Sequence, residues 1–390
     1  MLQFSKRLVS KGLKATLALT VHLAGSMQAD PSSSIDLETI SDGHDLGGFM
    51  GPGSIEAYQT NLRVVGSRTL AELIHKLDCS GRPLDAVIYD GFLPWALDVA
   101  KQCRGLLPLP LPLPLSEGSV RVPGLPPLKP WEAPSYVYKL GLYPAFYDMV
   151  INQSTNVDDA DFCSKTTLTW RSRTTQYYLL DKRLPNNTAY GVNLFTPTTT
   201  STVSAWLHRH PPRSVVYVSF GSMADLDPSQ FAELAHGLAL ASHPFIWIIR
   251  STEQHKLPRD LMDLIPSEEA LILPWCNQLE VLESDAIGCF VTHCGLNSVI
   301  EAICLGVPMF VEDVWRVGVK VRVDEAGIVG RKEVERCVRE VVGGGGRGRE
   351  VTESARRWME TVKAAMAEGG SLDQNIDEFV EKLVSRASTK

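Results

Sequence analysis

"FVTHCGLNSVIEAICLGVPMFVEDVW" runs from Phe290 to Trp315. Its first residues read as the end of a strand and His293-Cys294-Gly295 as a turn. Asn297-Ser298 then opens a helical pattern, with Glu301 one turn in. In open α/β sheets, ligands sit beyond the carboxyl ends of the strands. A helix that starts there offers unpaired N–H groups and a partial positive charge, which suits a phosphate. Asn297 and Ser298 can cap the helix and also donate to phosphate oxygens. Glu301 would repel a phosphate and suits a hydroxyl donor such as a ribose.

Working outward, the same half of the chain repeats this strand-and-helix order. "SVVYVSFGS" (214–222), "PFIWIIR" (244–250), "ALILPW" (270–275) and "CFVTH" (289–293) read as strands. "PSQFAELAHGLALA" (228–241) and "NSVIEAICLG" (297–306) read as helices. Two more segments join the same edge. Phe220-Gly221-Ser222 follows the first of these strands, where Gly221 lets backbone approach a ligand closely. Trp275 to Gln278 follows another, and Trp275 offers a flat face for a base. Together the parts suit a nucleoside diphosphate. Taken singly, Trp275 also fits a core aromatic, and His293 a hydrogen-bonded interior histidine.

The amino-terminal half alternates too. "KATLALTV" (14–21), "IDLETIS" (35–41) and "LDAVIYDG" (84–91) read as strands, and "RTLAELIHKL" (68–77) and "FLPWALDVAKQC" (92–103) as helices. This is the pattern of a parallel sheet covered on both faces. "LPLPLPLPL" (107–115) interrupts it. A proline at every second position forbids a helix and a paired central strand, so the segment is an extended connector. The polar stretch 181–211 reads as a domain linker. "SARRWMETVKAAMAEGG" (354–370) and "DQNIDEFVEKLVSRA" (373–387) read as closing helices. The expected division is 1–200, 212–370, and a carboxy-terminal helix at 371–390 packing back toward the first domain.

Composition narrows the partners. A net charge of −7 over 390 residues argues against a nucleic-acid backbone. Eight cysteines without a CxxC pair read as reduced thiols of a cytoplasmic protein, not as a disulfide framework or a zinc site. Basic Lys6, Arg7, Lys11 and Lys14 precede a short apolar run. Leu2, Phe4 and Leu8 show helical spacing, so this is an amphipathic helix followed by a strand rather than a leader. No apolar run reaches the ~18 residues of a membrane helix. Asn152 and Asn186 open glycosylation sequons that mean nothing without secretion. Gly343, Gly345 and Gly348 fit G-x-G-x-x-G, but "KEVERCVREVV" before them reads as a helix, whereas a dinucleotide site needs a strand there. "VVGGGGRGRE" therefore reads as a loop between helices.

"WCNQLEVLESDAIGCFVTHCGLNSVIEAICLGVP" (275–308) resembles the signature of the plant family 1 UDP-dependent glycosyltransferases. The likeness extends to "VVYVSFGSM", "LDAVIYDGFLPWALDVAKQC" and "EGGSLDQNIDEFVEKL". It implies two facing Rossmann-like, doubly wound domains of the GT-B type. It also implies inverting transfer of glucose from UDP-glucose to a small phenolic, carboxylic or terpenoid acceptor, with no metal and no other cofactor. By that resemblance Trp275 stacks on uracil and Cys276 meets its edge through backbone. Gln278 and Glu301 hold the ribose hydroxyls. His293, Asn297, Ser298 and Ser222 hold the diphosphate, with Gly295 and Leu296 beside them.

The chain also departs from that pattern. The family opens with a strand and a Gly-His-x-x-Pro turn whose histidine is the general base. Here Met1 leads directly into "LQFSKRLVSKG", so the first domain is expected to lack its first strand. His22 and His44 match no family position. Asp90 matches the acidic partner of the absent histidine and alone is a poor base, because an unperturbed aspartate has a pKa near ~3.9. After Gly306-Val307-Pro308, "MFVEDVWRVGVK" follows at once, without the acidic-Gln pair that binds the sugar. Glu312-Asp313 belongs to the helix beyond that gap. Leu296 stands where the family carries Trp, and a further gap lies around 104–115. The expectation is a transferase with impaired chemistry. The alternatives are a non-catalytic UDP-binding protein and a truncated gene product.

Overall fold

The computed structural model describes residues 2–26, 35–51, 53–89, 93–102, 200–222, 224–309 and 316–387. Two compact units emerge: Met1–Leu194 together with Glu368–Lys390, and Phe195–Ala367. Among the described residues, no helix is long and apolar enough to cross a membrane. Asp90, Glu312, Asp313, the 104–115 gap, the proline connector and both sequons lie outside the described residues.

The first unit opens with α1 (Leu2–Ser10), β1 (Thr16–Thr20), α2 (Val21–Ser26) and β2 (Asp36–Ile40). β1 and β2 pair in parallel, from Thr16 opposite Asp36 to Thr20 opposite Ile40. α3 (Ile55–Cys79) is far longer than "RTLAELIHKL" suggested. Its start is fixed by Ser54, whose Oγ accepts from the Ala57 N–H at 3.1 Å, satisfying one of the free amides of the first turn. Leu73 and Leu77 of α3 pack with Ile40 and with Trp95, Ala96 and Val99 of α4 (Trp95–Gln102).

"LDAVIYDG" is corrected. Its described residues, 84–89, form no strand, although Leu84 and Tyr89 pack against that same cluster. Among the described residues the sheet of the first unit is two-stranded, β1 with β2.

The second unit begins with α5 (Thr200–Leu207), inside the stretch read as a linker. Val203, Trp206 and Leu207 are buried, and Trp206 Nε1 donates to the Glu268 carbonyl at 3.1 Å, so a polar-looking segment is anchored by three apolar side chains. There follow β3 (Val215–Ser219), α6 (Pro228–Ala241), β4 (Phe245–Ile248), α7 (Leu261–Leu264), β5 (Ala270–Leu273), α8 (Gln278–Leu282), β6 (Ile287–Thr292) and α9 (Leu296–Leu305). The four strands form one parallel sheet in the order β5-β4-β3-β6. Every residue of β3 and β6 is buried, which explains their unbroken apolar runs. The strand period of two divides the faces. Val216, Val218, Cys289 and Val291 pack with Phe231 and Leu234 of α6 and with Val334 and Val338 of α10 (Arg331–Val342), while Tyr217 and Phe290 point to the other face.

The sheet continues by single bridges, Phe290 to Met309 and Met309 to Gly318, both parallel. The Phe290 N–H donates to the Pro308 carbonyl at 2.8 Å, and the Met309 N–H to the Val317 carbonyl at 2.8 Å. Eight residues separate Met309 from Gly318.

α11 (Gly346–Met366) begins inside the glycine run, so the loop reading of "VVGGGGRGRE" is corrected to a shorter one. A Cβ on Gly348 would stand 2.6 Å from the Glu340 carbonyl oxygen. The glycines let α11 start directly against the end of α10. α12 (Ser371–Ala387) then returns to the first unit. There Phe379 meets Phe4 of α1 at 5.8 Å between ring centroids, and Asp373, 3% exposed, accepts an ion pair from Arg7. Lys11 reaches Asp377 at 2.5 Å.

Candidate functional site

Because β3, β5 and β6 run parallel, the residues following each of them share one sheet edge. Gly221 and Ser222 leave β3, Trp275 and Cys276 leave β5, and His293 to Gly295 leave β6. The residues expected from sequence to meet a nucleotide thus lie in the second unit, after β3, β5 and β6. Asp90 falls outside the described residues.

The closest contacts fix His293. A Cβ on Gly295 would lie 2.4 Å from His293 Nε2, and one on Gly221 would lie 2.8 Å from His293 Cε1. The imidazole therefore occupies the space that two side chains would fill. Gly221 has φ +72°, a left-handed conformation that favours glycine. Burial holds the His293 pKa below its usual value, so the ring is neutral at physiological pH and has one N–H to donate.

α9 is capped by Gly295 with no side-chain hydrogen bond. Its first amides are thus left to a ligand or solvent, as the anion reading requires. Leu296 is 60% exposed and Asn297 is exposed. Ser298 is buried, and its Oγ accepts from Gln278 Nε2 at 3.1 Å. The same Nε2 donates to Glu301 Oε2 at 2.7 Å. Gln278 thus ties the start of α8 to the first turn of α9. Trp275 is half-buried and Cys276 buried. Burial pushes the Cys276 thiol up to about 11, which removes it as a nucleophile at neutral pH.

Two residues were not singled out from sequence. Tyr217 of β3 donates to Gln278 Oε1 at 3.4 Å and touches Cys276 Sγ at 3.6 Å. A tyrosine inside "VVYVS" reads as core, and only its opposite side in the period of two sets it apart. Arg250, just past β4, donates through Nη1 to the Ser222 carbonyl and through Nη2 to the Ala224 carbonyl, the latter at 2.5 Å. It straps down the turn that carries Ser222. A charged residue ending an apolar strand was the available signal.

Burial raises the Glu301 pKa, partly offset by the bond from Gln278. A carboxyl whose pKa is raised on folding destabilises the folded state above its ordinary range, and that cost disappears as pH falls through the raised value. As a hydroxyl acceptor it works in the opposite direction, since the carboxylate is present above the raised pKa and lost below it. Glu301→Gln is therefore expected to melt higher than wild type at pH 7. It is also expected to weaken binding of a ribose-bearing ligand roughly 10- to 150-fold, the scale of a hydrogen bond to a charged group. Thermal melts and UDP titration check the two halves; a variant that melts lower would contradict the burial argument.

The family described as UDP-glucoronosyl and UDP-glucosyl transferase matches residues 145–315. UDP-glycosyltransferase 74F2 of Arabidopsis thaliana is 38% identical over 433 aligned positions, covering 98% of this chain and 95% of that protein. The flavonol 7-O-beta-glucosyltransferase UGT74F1 of the same plant is 36% identical, covering 98% and 94%. Among solved structures, Os79 of O. sativa in complex with UDP superposes with a TM-score of 0.84 at 36% identity, covering 98% of this chain and 96% of that one. The 433 aligned positions exceed the chain's 390 residues, so the 74F2 relative carries internal segments that this chain lacks. Relatives of this identity and coverage show that the chain belongs to the plant family 1 UDP-glucosyltransferases, enzymes of the GT-B fold with Rossmann-like domains.

Proposed function

We propose that the second unit binds UDP through the edge described above, and that the chain takes glucose from UDP-glucose and transfers it, with inversion, to a small lipophilic acceptor. The carrying observation is the Gln278–Ser298–Glu301 constellation at the start of α9. A helix N-terminus for the diphosphate stands beside a carboxylate that suits the ribose. The solved Os79 complexes contain UDP, and one contains a trichothecene together with U2F, which supports a small-molecule acceptor. The described free cysteines are consistent with a reducing compartment.

The transfer step is proposed to be weak, on internal grounds. In the sequence, Met309 follows Pro308 at once, without the acidic-Gln pair that the family carries there. The sugar would then be held by fewer contacts than the nucleotide. Transition-state stabilisation comes from contacts to the reacting sugar, whereas grip on UDP alone binds without accelerating.

Calorimetry with UDP and UDP-glucose, together with turnover on a panel of phenolic and carboxylic acceptors, tests both parts. The expected outcome is UDP binding, UDP-glucose bound no more tightly than UDP, and slow turnover. A kcat in the ordinary range of about 1–10³ s⁻¹ would overturn the impairment. Absence of UDP binding would overturn the site.

A further inference from the structure

We propose that Tyr217 is a positioning residue for nucleotide recognition: its hydroxyl holds the Gln278 amide in the one orientation that presents its NH2 to Ser298 and Glu301. This rests on the reading that Gln278 and Glu301 meet the ribose of a uridine diphosphate.

The chemistry of the partners fixes the orientation. An ionised carboxylate only accepts, so the Gln278 NH2 faces Glu301. Ser298 Oγ accepts from that same nitrogen. Oε1 is then left on the opposite side of the amide, where the Tyr217 hydroxyl meets it at 3.4 Å. With Oε1 as acceptor, Tyr217 must be the donor. Burial raises the phenol pKa well above its usual value, so the proton stays on the oxygen.

The hydroxyl is itself held in place. Tyr217 is 1% exposed. Its ring stacks on Phe290, its cross-strand partner in β6, at 4.8 Å and 25°. The ring is thus clamped in the sheet while its polar end emerges beneath the nucleotide edge. A buried hydroxyl needs a partner; Ser219 at the end of β3 is one, and the other two, Gln278 Oε1 and Cys276 Sγ, belong to residues expected to meet the ligand. Without the hydroxyl, Oε1 loses its donor and the amide is held only at its Nε2 end, by Ser298 and Glu301, so it can tilt away from the position that presents it to the ligand.

The test is calorimetric titration of the full chain and of Tyr217→Phe with UDP and with 2′,3′-dideoxy-UDP. Phenylalanine keeps the stacked ring and removes only the oxygen. The expected result is a loss of about three- to tenfold for UDP, with the dideoxy analogue changed less than about twofold. Gln278→Ala and the double variant close a cycle: if Tyr217 acts through Gln278, the double variant binds UDP no worse than Gln278→Ala. Equal weakening toward both ligands, or none toward either, would overturn the proposal. Wild type that fails to distinguish UDP from the dideoxy analogue would remove the ribose reading itself, a failure visible before any variant is made.

Discussion

Gly295→Ala raises the dissociation constant for UDP roughly 5- to 150-fold and leaves the melting temperature nearly unchanged. The backbone at Gly295, φ −58° and ψ 142°, is open to any residue, so no conformational strain is introduced. The conflict is with one atom, because the new methyl would stand 2.4 Å from His293 Nε2. Overpacking of this kind costs about 1–3 kcal/mol, which sets the range above. The cost falls on binding because His293 lies at the open edge of the sheet, where the ring can swing outward into the space a phosphate would take. Gly221→Ala is the control. There the φ of +72° adds about 1–2 kcal/mol of backbone strain, so melting drops as well. UDP titration beside thermal melts measures both, and an unchanged Kd in Gly295→Ala would show that the ring's position is irrelevant to the ligand.

The second large effect is on stability. Trp247 in β4 is 1% exposed and stacks on Phe231 of α6 at 4.7 Å and 26°. Truncation to alanine removes the largest side chain of that core and is expected to cost about 3–5 kcal/mol. That is a sizeable share of the roughly 5–15 kcal/mol a domain has. The nucleotide unit should unfold in markedly less urea. With UDP at about a hundred times its Kd, about 2.7 kcal/mol returns, so the variant's midpoint should rise part of the way, but not all of it, to that of ligand-free wild type. A midpoint for Trp247→Ala within error of wild type would contradict the core assignment.

The second unit was legible because its strands are apolar throughout and β3 and β6 are buried on both faces. "SVVYVS", "FIWI", "ALIL" and "CFVT" are apolar runs of strand length, and the glycine and tryptophan that follow them mark the ligand edge. The amino-terminal unit was less so. "LDAVIYDG" has strand composition, yet a strand is a relation between two segments, and its sequence says nothing about whether a neighbour is present. α3 was read as short because Gln59, Asn61, Arg63 and Arg68 interrupt its apolar pattern, while the Ser54 cap lies well upstream. In the site, His293 and Glu301 were visible as chemistry out of place beside an apolar strand. Tyr217 and Arg250 were not, because each acts through a partner that only the folded sheet brings near. The polar stretch 181–211 hid α5 in the same way: the buried side chains of Val203, Trp206 and Leu207 outweigh a run of threonines.

The ion pair of Arg7 with Asp373 and the Phe4–Phe379 contact have a consequence for how the protein is made. α1 is translated before the second unit and its partner helix after it. The nucleotide unit, Phe195–Ala367, is entirely synthesised in between. On the ribosome, where domains mature as units in the order their chains become complete, the later-encoded unit can therefore finish first. The earlier one must wait, with the apolar side of its opening helix uncovered, until the carboxy-terminal helix has left the exit tunnel.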